Sequence, residues 1–157
     1  LAAHYDRRIL VEEYINGREL ECAVLGNDQP ETSIVGEVVA CNEFYDYEAK
    51  YASESTSDII IPAGIPHDKM QVVRDYAVRA FKAIDGQGLS RVDFFLRKSD
   101  GNILINEINT MPGFTSISMY PKLWQYDNLS FKDLLNQLIS LAKRQHNIKA
   151  NRITDYQ

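Results

Sequence analysis

The clearest chemical signal in the sequence is two polar pairs, each set in an apolar run. Glu107 and Asn109 stand two positions apart in ILINEIN, and Arg91 and Asp93 stand two positions apart in SRVDFFL. Side chains at positions i and i+2 of a strand point to the same face. Two carboxylates and an amide offer hard oxygen ligands, which suit Mg²⁺ together with phosphate oxygens and water. A neighbouring arginine suits a multiply negative group.

Whether the two pairs meet depends on the turn between them. A two-residue turn at the Asp-Gly pair would point Asp93 and Glu107 to opposite faces, each among apolar neighbours. A three-residue loop over 99–101, with its glycine left-handed, would set Asp93 opposite Glu107 and Arg91 opposite Asn109. We expect the second register, because burying a lone carboxylate costs several kcal/mol.

Two interpretations of this polar patch remain open. Adjacent carboxylates repel each other and are stable with a shared proton or a cation, and Glu107 has two oxygens with which to bridge two ions. The alternative is a solvated sheet face with an Arg91–Asp93 ion pair. The segment that follows, PGFTSIS (112–118), offers a close-approaching backbone and hydroxyls suited to an anion, or is an ordinary turn and polar loop.

The surrounding pattern predicts an α+β domain of antiparallel strands with two helices packed on one face. Asn16-Gly17 predicts a hairpin between the first two strands. Asp68 and Ser130 are the expected helix N-caps, and Ser130 with Asp133 resembles a capping box. Strands are predicted at 9–15, 20–26, 32–40, 59–63, 90–97 and 103–109, helices at 68–84 and 130–144, a helix end at 1–8 and a loose tail at 147–157. The apolar stripe of the second helix is predicted to be Leu134, Leu135, Leu138, Ile139 and Leu141.

Composition excludes several classes of function. The chain of 157 residues has a net charge of −5, which disfavours a nucleic-acid partner. It has no run apolar enough to span a membrane. Cys22 and Cys41 are interpreted as buried free thiols in a reducing cytoplasm, in preference to a disulfide. The three histidines are too scattered for a triad or metal site. The first residues, LAAHYDRRILVEE, resemble the middle of a protein, so we expect a fragment.

Three segments together carry a family resemblance: FYDYEAKY, RVDFF and NEINTMPGFTSISMYPKLW. Over about residues 11–141 the chain resembles the C-terminal part of bacterial D-alanine–D-alanine ligases, members of the ATP-grasp superfamily. The resemblance implies an incomplete C-terminal ATP-grasp domain at 1–146, without the N-terminal and central regions, and a tail at 147–157. It also implies a cytoplasmic, homodimeric bacterial enzyme of peptidoglycan synthesis.

The resemblance implies roles for individual residues. Asp93, Glu107 and Asn109 match ligands of two Mg²⁺ ions, with Mn²⁺ as an alternative metal, and Arg91 and the Gly113 N–H match groups that stabilise the tetrahedral intermediate. The ATP contacts match Glu12 at the adenine amine, Glu13, Tyr14 and Ile15 at the hinge, Glu19 at the ribose and Phe44 at the adenine. Glu13 stands where many members carry lysine. Ser118 and Met119 match contacts to the carboxylate of the second D-alanine. Lys50 and Tyr51, in a mobile loop over 42–58, match residues near the reacting groups and the second substrate, and Lys50 is also an expected ATP contact.

The implied reaction has two steps. ATP phosphorylates the carboxylate of one D-alanine, and the amine of a second D-alanine then attacks the acyl phosphate. We do not expect these 157 residues to ligate alone, because the residues that bind the first D-alanine and two phosphate-binding lysines belong to the missing regions. Two alternatives remain: another ATP-grasp carboxylate–amine ligase, with D-lactate or D-serine as acceptor, and a non-catalytic module that binds Mg-nucleotide.

Overall fold

The computed structural model describes residues 1–39, 58–115 and 117–152, and its centre is one antiparallel sheet. The strands are β1 (Gly17–Gly26), β2 (Glu31–Val39), β3 (Asp58–Ile60), β4 (Gly88–Arg97) and β5 (Ile103–Asn109), in the order β3-β2-β1-β4-β5. The helices are α1 (His67–Ala83), α2 (Met119–Tyr126) and α3 (Phe131–Ala150), after a short 3₁₀ helix at Ala2–His4. The predicted α+β class is confirmed.

The central strand β1 is apolar on both faces, and this determines the layers. Leu20, Cys22 and Val24 point to one face, where they pack with Val73, Ala77 and Phe81 of α1. Ala23 and Leu25 point to the other face, where they pack with Tyr120, Leu123 and Trp124 of α2 and Leu134 of α3. Each large apolar side chain buried in this way stabilises the fold by about 1.5–3 kcal/mol. The prediction of two helices on one face is therefore wrong, since helices cover both faces.

The predicted strand at 9–15 and its hairpin at Asn16-Gly17 are also wrong. β2 and β4 pair with the two edges of β1, so no edge of β1 is left for another strand. The segment before β1 bonds to the sheet at Asn16, whose carbonyl accepts a hydrogen bond of 2.9 Å from the Lys98 N–H. The apolar side chains Ile9, Leu10, Val11 and Tyr14 are exposed. The strand propensity of residues 9–15 was not enough to form a strand, because a strand also needs a free sheet edge with which to pair.

The starts of the helices differ from the prediction in two ways and agree with it in one. α2 was not predicted, because it is short and contains Pro121, which is tolerated in the first turn, where N–H groups have no partner within the helix. Asp68 does not cap α1, whose N-cap is Pro66, but lies in its first turn. Ser130 does cap α3, since its Oγ accepts a hydrogen bond of 3.1 Å from the Asp133 N–H.

α3 is longer and less buried than expected. It continues to Ala150, so residues 147–150 belong to the helix and not to a loose tail. Of the predicted stripe, Leu134 is fully buried and Leu138 and Leu141 pack partly against the core. Leu135 and Ile139 are exposed. No helix in the described part of the chain is long and apolar enough to cross a membrane.

Candidate active site

The hairpin of β4 and β5 brings the two polar pairs together. Arg91 lies opposite Asn109, and Asp93 lies opposite Glu107. This is the register predicted from the cost of burying lone carboxylates, and it is confirmed. Opposite residues of an antiparallel pair project from the same face of the sheet, with side chains close enough to interact. Arg91 also pairs with Ala23 of β1, which places the patch on the face that α2 and α3 cover.

The chain reaches this register by a different route from the one expected. The loop has four residues, 98–101, and is closed by an Arg97 N–H bond to the Asn102 carbonyl of 2.9 Å. Gly101 has a φ of +67° there, as predicted for a left-handed position. Continued without a break, this pairing would set Asp93 opposite Asn106. A β-bulge beyond Asp93 adds Asn106 as an extra residue and restores the predicted pairs.

β1 contributes a third carboxylate that the sequence analysis missed. Glu21 lies opposite Asp93, so Glu21, Asp93 and Glu107 form a row across three neighbouring strands, which we name the acid row. The Arg91 guanidinium donates from Nε and Nη2 to the two Asp93 oxygens, each at 2.7 Å. Arg91 Nε also lies 3.1 Å from Glu21 Oε2. One arginine therefore serves two carboxylates of the row.

The charges around Arg91 hold it in its cationic form. Burial lowers the pKa of the Arg91 guanidinium, but the hydrogen bond to Asp93 and the charges of Glu21, Asp93 and Glu107 outweigh burial and raise it. Three carboxylates and one guanidinium leave a formal surplus of two negative charges. A divalent cation would compensate that surplus.

The three predicted metal ligands are of the chemical type that a hard cation prefers, and two of them, Asp93 and Asn109, contact protein groups in this structure. Asp93 holds Arg91, and Asn109 Oδ1 accepts a hydrogen bond of 3.0 Å from the Met111 N–H. In the described ranges no three His, Cys, Asp or Glu side chains are arranged as a metal cluster. Two carboxylates and an amide on adjacent strands nevertheless form an oxygen-only donor set of the kind that Mg²⁺ takes.

The loop after β5 folds back tightly on itself. Ser118 Oγ accepts a hydrogen bond of 3.0 Å from the Thr115 N–H and lies 2.8 Å from Thr115 Oγ1. A Cβ added at Gly113 would lie 2.8 Å from Ser118 Oγ. The close approach of these two segments therefore requires glycine, or a shift of a hydroxyl that already has two partners.

The N-terminus of α2 is anchored next to Glu21. Gly36 of β2 lies opposite Glu21. A Cβ at Gly36 would lie 2.9 Å from both Met119 Sδ and Leu123 Cδ2, so the missing side chain provides the space into which α2 packs. The Met119 side chain is buried in the core.

Comparison with known proteins agrees with this geometry. The family model described as "D-ala D-ala ligase C-terminus" matches residues 1–140. The chain belongs to this family. The resemblance inferred from the sequence is confirmed, and so is the match to the C-terminal part of the ligases.

Members of the family with known names and structures resemble the chain over most of its length. The D-alanine–D-alanine ligase of Acetivibrio thermocellus is 60% identical over 146 residues, which are 93% of this chain and 39% of that protein. The D-alanine–D-alanine ligase of Ruminiclostridium cellulolyticum is 62% identical over 143 residues, 90% of this chain and 38% of that protein. The chain thus spans about two fifths of the length of these curated relatives.

Two solved structures share the fold. The D-alanine–D-alanine ligase of Coxiella burnetii superposes with a TM-score of 0.81 at 38% identity and covers 94% of this chain and 38% of that one. The VanG D-Ala:D-Ser ligase of Enterococcus faecalis superposes with a TM-score of 0.71 at 43% identity and covers 82% of this chain and 37% of that one.

The other residues that the family resemblance singled out are spread more widely. Glu19 lies on β1 on the same face as Glu21. Glu12, Glu13 and Tyr14 are exposed and Ile15 is half-buried, all in a segment without regular structure. The described residues do not include Phe44, Lys50, Tyr51, Cys41 or Ser116. The predicted mobility of the loop over 42–58 also concerns residues that are not described.

The cysteine prediction is confirmed for the residue that the structure describes. Cys22 is buried and free. Burial raises the pKa of the Cys22 thiol to about 12. It lies on the α1 side of the sheet, away from the acid row, and therefore belongs to the core.

Proposed function

We propose that this chain is the C-terminal part of an ATP-dependent ligase that joins two D-alanines through an acyl phosphate, in bacterial peptidoglycan synthesis. The observation that carries the proposal is the convergence of Arg91, Asp93, Glu107 and Asn109 on one patch, within a chain of this family. Phosphoryl transfer leaves little covalent chemistry to the protein, so positioning and charge are what the site must supply.

Asp93, Glu107 and Asn109 are proposed to hold Mg²⁺, as two ions, with Mn²⁺ as an alternative. The bound ions would neutralise the ATP phosphates. Arg91 is proposed to stabilise the oxyanion that forms when the amine attacks, with the Gly113 N–H as a second donor. In other enzymes one such donor lowers the barrier by roughly 3–4 kcal/mol. Support comes from the ion pairs that fix Arg91 beside the acid row.

The substrate-binding residues follow the same family pattern. Glu12 is proposed at the adenine amine, the backbone of 13–15 at the adenine edge, Glu19 at the ribose and Phe44 at the adenine face. Ser118, Met119, Lys50 and Tyr51 are proposed to bind the second D-alanine and the reacting groups. Because its side chain is in the core, Met119 would act through its main-chain N–H, one of the groups without a helical partner at the start of α2.

The test is ATP-dependent phosphate release with D-alanine, using the protein expressed from the complete reading frame that contains these residues. We expect release that requires D-alanine and yields the dipeptide, and a fall of at least about 100-fold in kcat in Asp93→Asn and in Glu107→Gln. Asp100→Asn is the matched control, because it makes the same exchange at the far end of the same hairpin. Normal rates in both site variants would refute the proposed metal ligands.

A second acceptor is tested in the same assay. The 43% identity to a D-Ala:D-Ser ligase makes D-serine a necessary comparison, and D-lactate is the third acceptor. We expect D-alanine to be preferred, since Lys50-Tyr51 resembles the D-alanine-specific loop, and Tyr51→Phe to shift the preference towards D-lactate. Nucleotide binding without any phosphate release would instead indicate a non-catalytic module. Homodimerisation of the whole protein is proposed from the family and is checked by light scattering.

A further inference from the structure

Glu21 has no role in the proposed reaction, although it completes the acid row. Its carboxylate lies 3.1 Å from the Nε of Arg91, and its strand position is directly opposite Asp93. The side chains of Glu21 and Arg91 are only 13% and 18% exposed. The residue opposite Arg91 on β1 is Ala23, which has no polar group to offer. Glu21 is therefore the carboxylate from β1 that reaches the guanidinium.

We propose that Glu21 is a positioning residue for Arg91, which it keeps in place when Asp93 turns its oxygens towards a cation. The proposal rests on the proposed function, in which Asp93 is a metal ligand and Arg91 acts on the oxyanion. In the present structure both Asp93 oxygens accept from Arg91, at 2.7 Å each. The same oxygens cannot fully serve a cation and a bidentate guanidinium together.

The physical need follows from the partial burial of Arg91. A guanidinium that loses its carboxylate partner in a poorly hydrated place is destabilised by desolvation. It would then either compete with the cation for Asp93 or rotate away from the reacting groups. Glu21 offers a second carboxylate on the neighbouring strand, already within ion-pair distance, so Arg91 can leave Asp93 without moving far.

Another role for Glu21 is a third direct ligand of the cation, and the two roles differ in their dependence on Arg91. A positioning role disappears when Arg91 is absent. A ligand role remains, because a metal–carboxylate bond does not require the arginine. Loss of negative charge alone weakens cation binding to a similar degree with or without Arg91.

The test measures Mn²⁺ affinity from the electron paramagnetic resonance signal of free Mn²⁺, using the whole protein without nucleotide. We expect Glu21→Gln to weaken Mn²⁺ binding at least fivefold more in the wild-type background than in the Arg91→Ala background. Asp100→Asn, which removes one exposed negative charge from the same hairpin, is the control for charge alone. An equal loss in both backgrounds, or no loss in either, would overturn the positioning role.

Kinetics give the second measurement. We expect Glu21→Gln to lower kcat for dipeptide formation about tenfold with little change in the KM for D-alanine, and Glu21→Asp to recover part of it. If Glu21→Gln weakens Mn²⁺ binding mainly when Arg91 is present, but the wild type makes no dipeptide, the proposed function is refuted and the positioning of Arg91 by Glu21 is supported. If the wild type makes the dipeptide, but Glu21→Gln changes Mn²⁺ affinity equally with and without Arg91, only the positioning role of Glu21 is refuted. Absence of a saturable Mn²⁺ site in the wild type would refute both the role of Glu21 and the proposed metal ligands.

Discussion

Replacing Arg91 with methionine should destabilise the protein far more than the same replacement at Arg97. Both arginines lie on β4, and both donate from Nε and Nη2 to one aspartate, Asp93 or Asp100. They differ in burial: the side chains of the first pair are 18% and 12% exposed, and those of the second 29% and 38%. The comparison therefore isolates burial and the neighbouring charges.

The expected size of the effect follows from the acid row. Without Arg91, Glu21, Asp93 and Glu107 are three carboxylates on adjacent strands with no cation between them. Removing one partner of a buried ion pair costs about 3–5 kcal/mol, and partial exposure here reduces this to about 2–3 kcal/mol. Arg97→Met should cost much less, because ion pairs exposed to water contribute little to stability. For a chain of this size the difference corresponds to roughly 3–10 °C in Tm.

The assay is urea unfolding of both variants at pH 7.5 in EDTA. Equal m-values would confirm that the variants expose the same amount of surface on unfolding. The double variant Glu21→Gln/Arg91→Met should be more stable than Arg91→Met alone, because one of the repelling charges is gone. Equal destabilisation by Arg91→Met and Arg97→Met, or a double variant less stable than Arg91→Met, would refute the electrostatic reasoning.

Three further predictions concern the core that supports the site. Tyr120→Phe should lower the free energy of unfolding by about 0.5–1.5 kcal/mol in urea, because the buried hydroxyl donates to the Val24 carbonyl at 3.0 Å; an unchanged value would contradict that bond. Gly36→Ala should cost about 1–3 kcal/mol by thermal unfolding, because its methyl group would meet Met119 and Leu123 at 2.9 Å, and a neutral result would show that α2 can move. Cys22 should resist iodoacetamide at pH 8 until urea unfolds the chain, as read by mass spectrometry of its peptide. Its pKa is raised from 9.0 to about 12 in the folded state, so its contribution to stability is complete below pH 9 and is lost as the pH rises towards 12. Cys22→Ala should flatten that alkaline loss, and an unchanged pH profile would count against the assignment.

The sequence was sufficient to predict that Asp93 pairs with Glu107 and Arg91 with Asn109, but not to predict the turn and the bulge that produce these pairs. The cost of separating Asp93 and Glu107 among apolar neighbours selected the correct register without knowledge of the turn. The turn itself has four residues, and the bulge at Asn106 compensates for the difference. A bulge is favoured by local twist and packing, which residue types in a single strand do not encode. The desolvation cost of Asp93 and Glu107 depends on the final pairing of the strands and not on the loop, so it predicted the pairs correctly.

The layer arrangement was predictable in part. Leu20 to Leu25 of β1 form an almost continuous apolar run, which is typical of a strand buried on both faces. The prediction of two helices on one face did not use this signal. α2 was not predicted, because eight residues that include a proline give a weak helical pattern. The segment 9–15 has the composition of a strand, but whether a strand forms depends on a free sheet edge, and β4 occupies that edge from far along the chain.

Glu21 is the residue of the candidate site that could not be predicted from the sequence. Its alternation with Leu20 and Cys22 places it on the same face of β1 as Glu19, but nothing in the local sequence says which strand lies alongside. The pairing with β4 joins residues 21 and 93 across 72 positions, and only that pairing turns three separate acids into one row. The row is stable here because Arg91 offsets part of its charge and because Glu107 remains exposed to water. The surplus negative charge on strands that are otherwise well packed is the physical reason for proposing a cation site on this face of the sheet.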